Sequence, residues 1–170
     1  GVLSHAPRRS QSMMMMIDAF AVEGVTELAV DSIFMMPHLG VLSTIHPAAA
    51  TEVFEKDCLV RLGTCVATVG APKHGPALTV ELRLPGGSTQ KLELAAGALE
   101  LVRLADGEYA EATLTPARGV DVGAGPGERL ERRLRGGQVG LVFDARGRRP
   151  LDVVGDHAAE WAQAMALYPS

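Results

Sequence analysis

From residue 59 onward the chain alternates apolar with polar residues, and this period of two sets the strongest limit on its fold. The stretches 59–69, 77–84 and 90–94 carry the pattern, and it recurs at 100–104, 109–115, 129–134 and 139–143. Side chains on a strand point to opposite faces in turn, so each stretch reads as a half-buried strand. Pro85-Gly86-Gly87-Ser88 separates two of them, which predicts a β-hairpin over 77–94. Asp106-Gly107, Gly119, Gly123-Ala124-Gly125-Pro126-Gly127 and Gly136-Gly137 break up the rest. Short strands at such spacing predict a mainly antiparallel sandwich or barrel over residues 57–155.

The first 56 residues have a different texture. Met13, Met14, Met15, Met16, Ile17, Ala19 and Phe20 leave few polar gaps, which predicts a helix buried on most sides, with Ser10 or Ser12 as its cap. Residues 26–31 read as a buried strand. Asp31 or Ser32 is placed to cap the next segment, where Pro37 sets the start or bend of a helix. Pro47 suits the first turn of a helix over 48–56. At the other end, Asp156 is placed to cap a helix over 158–167 that docks through Trp161, Met165 and Leu167. The expected class is therefore α+β: an incomplete α/β lobe at 1–56, a β-rich domain at 57–155, and a C-terminal helix and tail at 156–170.

Hydrophobic residues make up 47% and charged ones 21%, so the chain can bury a core. Sixteen Lys and Arg against 20 Asp and Glu give a net charge of -4, which argues against nucleic acid as a partner. No apolar run approaches a membrane span, and no signal-peptide pattern opens the chain, so no membrane partner is expected. Two cysteines, Cys58 and Cys65, make neither a disulfide scaffold nor a cysteine-only zinc site, and a reducing cytoplasm is the expected location. The chain opens on Gly1 rather than Met, within an apolar segment, as a piece of a longer protein does.

Few motifs carry chemistry. His5, His38, His46, His74 and His157 are scattered without metal-ligand spacing and read as surface or packing residues. Cys58 and Cys65 read as structural, with only Arg61 near enough in sequence to favour a thiolate. The glycine-rich run 123–127 is followed by a strand rather than a helix, so it reads as a wide loop and not as a phosphate loop. No serine, histidine and acid order, and no close carboxylate pair, marks a hydrolase. Arginines crowd the C-terminal half: Arg129, Arg132, Arg133, Arg135, Arg146, Arg148 and Arg149. They read as a solvated face or as a grip for phosphate or an acidic partner.

Six segments taken in order resemble the C-terminal part of the glutamate mutase MutL family: residues 1–7, 28–31, 39–43, 62–70, 115–123 and 140–148. Proteins of that family are similar to actin-like and sugar-kinase-like ATPases and are associated with adenosylcobalamin-dependent mutases and aminomutases. The resemblance implies that residues 1–56 are part of an actin-like ATPase lobe. It implies ATP and Mg as cofactors of the full-length protein, with none expected for this chain alone. It places Gly1 at the end of a glycine pair lying against adenosine, where a side chain would block close backbone approach. The helix over residues 8–20 would then continue the lobe, with an N-terminus that favours an anion. The phosphate loop of Asp-x-Gly-Thr type is absent here, and with it the ligands for magnesium, so this chain alone is not expected to turn over ATP.

The function implied is reactivation: ATP binding and hydrolysis change the lobes' relative position, and damaged cobalamin is released from the mutase. Arg132, Arg133 and Arg135 are the candidate partner-binding residues, on the β domain rather than on the methionine helix. The alternative is a non-catalytic protein-interaction β module, and a small independent enzyme is a third reading.

Overall fold

The computed structural model describes residues 2–70, 72, 74–147 and 157–169. Its class is α+β. Among the described residues eight strands follow one another: β1 (Gly24–Asp31), β2 (Leu59–Ala67), β3 (Leu78–Arg83), β4 (Thr89–Leu94), β5 (Leu99–Val102), β6 (Tyr109–Pro116), β7 (Leu130–Arg135) and β8 (Gly140–Asp144). They form two four-stranded sheets, one in the order β1-β2-β8-β5 and the other in the order β4-β3-β6-β7. The expected hairpin is present, with Leu78 opposite Leu94 and Arg83 opposite Thr89.

The sheets pack face to face. Val66, Val102, Leu141 and Phe143 from the first sheet meet Val80, Leu82, Leu114 and Leu134 from the second. The other face of the first sheet, through Leu62, Cys65 and Val142, packs on Met13 and Ile17 of one helix and on Trp161 and Met165 near another. The first sheet is thus the middle of three layers, and all five residues of β8 are buried. A strand covered on both faces reads as a continuous apolar run, as Gly140-Leu141-Val142-Phe143 does. Each fully buried Leu or Phe here contributes roughly 1.5–3 kcal/mol relative to leaving it exposed.

Three differences from the sequence reading have physical causes. β8 lies parallel to β2, Gly63 opposite Gly140 and Ala67 opposite Asp144, so the first sheet is mixed. That pairing joins residues far apart in sequence, and no local pattern encodes it. β1, from the first 56 residues, is antiparallel to β2 along its whole length, from Gly24 opposite Ala67 to Asp31 opposite Leu59, so this sheet spans the expected division at 56. Finally, Leu28 faces Gly63 but Ala29 faces Arg61, leaving Leu62 as an extra residue on β2. This bulge turns Leu62 onto the helical side, while Thr64 reaches the second sheet. Gly63 sits at φ +134, and a Cβ there would strike the Gly140 carbonyl oxygen.

The helices are α1 (Val2–His5), α2 (Arg9–Phe20), α3 (Met36–Ser43), α4 (Pro47–Val53) and α5 (Ala158–Ala164). Arg8, not a serine, precedes α2, and its N–H donates to Gln11 Oε1 at 3.2 Å. Ser10 and Ser12 lie inside the helix, where their hydroxyls donate to the carbonyls of Ala166 (3.3 Å) and Leu3 (2.7 Å). Only one face of α2 is fully buried, through Met13, Met14 and Ile17; Phe20 is exposed. α4 ends at Val53 and passes into a π-helical turn over Phe54–Cys58, where a plain helix was expected. α5 docks as expected through Trp161, whose Nε1–H donates to the Gly97 carbonyl at 2.9 Å. Asp156, the expected cap of α5, lies outside the described residues.

Candidate interaction surface

β7 carries all three candidate arginines, but its alternation divides them. Leu130 and Leu134 face the core between the sheets, so Arg132 stands on their side, at the rim, while Arg133 and Arg135 stand on the opposite, outer side. On that outer side both guanidinium groups lie over the ring of Tyr109, at 4.1 Å for Arg133 and 5.8 Å for Arg135. Arg133 also approaches Glu111 at 3.7 Å, and Arg135 approaches Asp106 at 3.5 Å. The three therefore form no single patch: two belong to an aromatic-anchored cluster, and Arg132 lies across the edge from them. Gly1, Arg148 and Arg149 lie outside the described residues.

A second surface, missed in the sequence, lies on α3 and the segments flanking it, beside α4. α3 packs chiefly on α4, and α4 on the π-helical turn. Leu39 and Ala50 are the buried residues of the two helices. Ile33, Phe34, Met36, Val41 and Ile45 are exposed, Val41 at 69% and Ile45 at 70%. Exposed apolar side chains gathered on one short segment make it a candidate interaction surface. The sequence did carry a signal: residues 32–51 contain no Asp, Glu, Lys or Arg, and charge is depleted at the centres of interfaces.

The base of this surface is held firmly. Asp31, at the end of β1, accepts the N–H of Ile33 (3.2 Å) and of Met36 (2.8 Å). Ser32 returns both its N–H (2.9 Å) and its hydroxyl (3.0 Å) to the Cys58 carbonyl. Burial alone would raise the Asp31 pKa, but bonds from the N–H groups of Met36, Met35, Ile33 and Phe34 outweigh it and hold the carboxyl below its usual value. Phe34 takes the left-handed conformation at φ +58, a strained state for an aromatic residue, and remains exposed. Cys58 is buried beneath, and burial, followed by the charges of Asp31 and Asp57, pushes its thiol pKa up. It is a packing residue, not a nucleophile.

The fold also makes a carboxylate pair that the sequence does not reveal. Asp18 of α2 and Asp144 of β8 meet around Arg146, whose side chain is buried. Asp144 is wholly buried and bound to that guanidinium, which makes the group a structural tie rather than an acid–base pair. Asp121 likewise serves its own loop: it accepts the N–H groups of Gly123 (2.6 Å) and Gly125 (2.9 Å), and these bonds hold its carboxyl below the usual range. The element after this loop is β7, a strand, as its sequence pattern predicts. The five histidines are exposed, and among the described residues no group of three or more His, Cys, Asp and Glu is placed to hold a metal ion. No helix among the described residues is long and apolar enough to cross a membrane. No protein-family model, no curated protein and no solved structure matches this chain.

Proposed function

We propose that this chain is the C-terminal, partner-engaging portion of an ATP-dependent reactivating factor for an adenosylcobalamin-dependent mutase or aminomutase. The observation that carries the partner-engaging role is the exposed apolar surface around α3, within the uncharged run 32–51, raised on a clamped base at the end of β1. The reactivating role rests on the likeness to the MutL family. Three of the segments that carry that likeness, 28–31, 62–70 and 140–148, contribute to neighbouring strands of the first sheet. In this reading ATP and Mg belong to the lobe that precedes the chain. The apolar surface grips the mutase, and the nucleotide state alters how strongly it does so.

The α3–α4 surface equally suits the second reading, a protein-interaction module with no nucleotide dependence. One binding experiment addresses both. The chain is immobilised and exposed to a purified adenosylcobalamin-dependent mutase, beside a Val41→Glu/Ile45→Glu variant. Binding by the original chain, weakened about tenfold or more in the variant, supports the partner-engaging role. No binding by the original chain contradicts the mutase assignment, whereas equal binding by both forms contradicts the assigned surface.

A further inference from the structure

The free edge of β7 is chemically unlike the other edges of the sandwich. Gly136 N–H donates to the Glu108 carbonyl at 2.9 Å, just past the last paired residues of β6 and β7. Counting back by twos, Leu134, Arg132 and Leu130 turn their backbone groups toward β6, opposite Ala110, Ala112 and Leu114. Glu131, Arg133 and Arg135 turn theirs outward. Thr64 Oγ1 donates to the outward Arg135 carbonyl at 2.7 Å, which confirms this phase and closes that end. Among the described residues nothing pairs with the N–H and C=O groups of Glu131 and Arg133, which lie on an exposed edge.

Charge selects what can pair there. Arg129, Arg132, Arg133 and Arg135 stand in or beside the strand against two acids, Glu128 and Glu131. Exposed strand edges are commonly guarded by charge, and a mainly basic edge disfavours pairing with a second copy of itself. Arg132 projects on one side of the strand and Arg133 on the other, so an added strand meets a cation on both of its faces. The pairs that Arg129 and Arg133 make within the chain, with Glu131 at 2.7 Å and Glu111 at 3.7 Å, are largely exposed. Such pairs are weak and exchange readily for an incoming carboxylate.

We propose that β7 docks an extended acidic segment of a protein partner, added as a fifth strand to the sheet. Backbone hydrogen bonds to Glu131 and Arg133 supply the pairing, and Arg132 and Arg133 select carboxylates. This inference does not depend on the reactivation reading. The edge belongs to the described sandwich whatever the chain serves.

The test uses the 170-residue chain and a fluorescent peptide of about ten residues alternating Glu with Val, at low ionic strength. Three probes accompany it: the Lys–Val counterpart, the Glu–Val peptide N-methylated at alternate residues, and single-stranded oligothymidine. Expected are saturable binding of the Glu–Val peptide and slowed amide exchange at Glu131 and Arg133. Binding should weaken about tenfold or more on N-methylation, and likewise for Arg132→Glu protein whose circular dichroism is unchanged. No binding of the acidic peptide overturns the proposal. Equal binding of the N-methylated peptide or of oligothymidine also overturns it, because either shows a basic patch that reads charge and not a strand.

Discussion

Arg146 grips the carboxylate of Asp144, two residues before it, in a bidentate pair sealed inside the protein. Nε donates to Oδ1 at 3.0 Å and Nη2 to Oδ2 at 2.7 Å, while the Arg146 main-chain N–H reaches Oδ1 at 3.0 Å. The same Nη2 lies 2.7 Å from Asp18 on α2, and the guanidinium stands over the Trp161 ring at 5.0 Å. One side chain thereby joins β8, α2 and α5. Burial works against its charge, but Asp144 and then Asp18 outweigh that and raise its pKa. Its Nη1 has no hydrogen-bond partner among the described residues, so the tie is held by one half of the guanidinium fork.

Removing either buried member strands the charge of the other. Arg146→Met or Asp144→Asn is expected to cost about 3–5 kcal/mol in urea unfolding. Asp18 is partly exposed, and Asp18→Asn should cost less than about 1 kcal/mol. Equal losses at Asp18 and Asp144 would contradict this division of roles.

Gly63 tests the bulge that sets the facing of β2. Gly63→Ala adds a Cβ against the Gly140 carbonyl at a φ that L-residues rarely adopt, and it should destabilise the chain by about 3 kcal/mol. Gly40→Ala, where a Cβ meets open space within α3, should be neutral or slightly stabilising. Comparison of their urea midpoints gives the answer.

Acid should weaken the fold through Asp31 and Asp121. Both carboxyls lie below their usual pKa in the folded state, so the unfolded chain takes up protons first as pH falls. Their contribution is complete above the unfolded value, near about 3.9, and is lost as pH drops through the folded values. Urea midpoints of Asp31→Asn between about pH 5 and about pH 3 should fall less steeply than those of the original chain.

The strands were legible because their burial alternates in the sequence itself, as in Leu78-Thr79-Val80-Glu81-Leu82. The same rule, applied to residues 130–135, separates Arg132 from Arg133 and Arg135 in the sequence itself. The parallel pairing of β2 with β8 and the tie between Asp18 and Arg146, 128 residues apart, depend on tertiary closure that no local window contains. The α3–α4 surface was half legible. Its freedom from charge is plain in residues 32–51, but a buried helix pair would show the same composition, and only packing reveals that Val41 and Ile45 are left outside.

Under the proposed reading, phosphate and metal binding belong to another part of the full-length protein, and the 170-residue chain should show no magnesium-dependent ATP turnover above background. A phosphate-release assay checks this. Turnover by the chain itself would contradict its placement as the C-terminal portion of such a factor.

The reactivating role is tested most directly by cobalamin exchange. A full-length protein carrying this segment is mixed with an adenosylcobalamin-dependent mutase blocked by hydroxocobalamin, with adenosylcobalamin, ATP and Mg, and recovery of mutase activity is followed. The account predicts ATP-dependent recovery that is lost or slowed about tenfold or more in the Val41→Glu/Ile45→Glu form, with its ATP hydrolysis retained. No recovery with the unaltered protein across glutamate, ornithine and lysine mutases, or recovery without ATP, would contradict it.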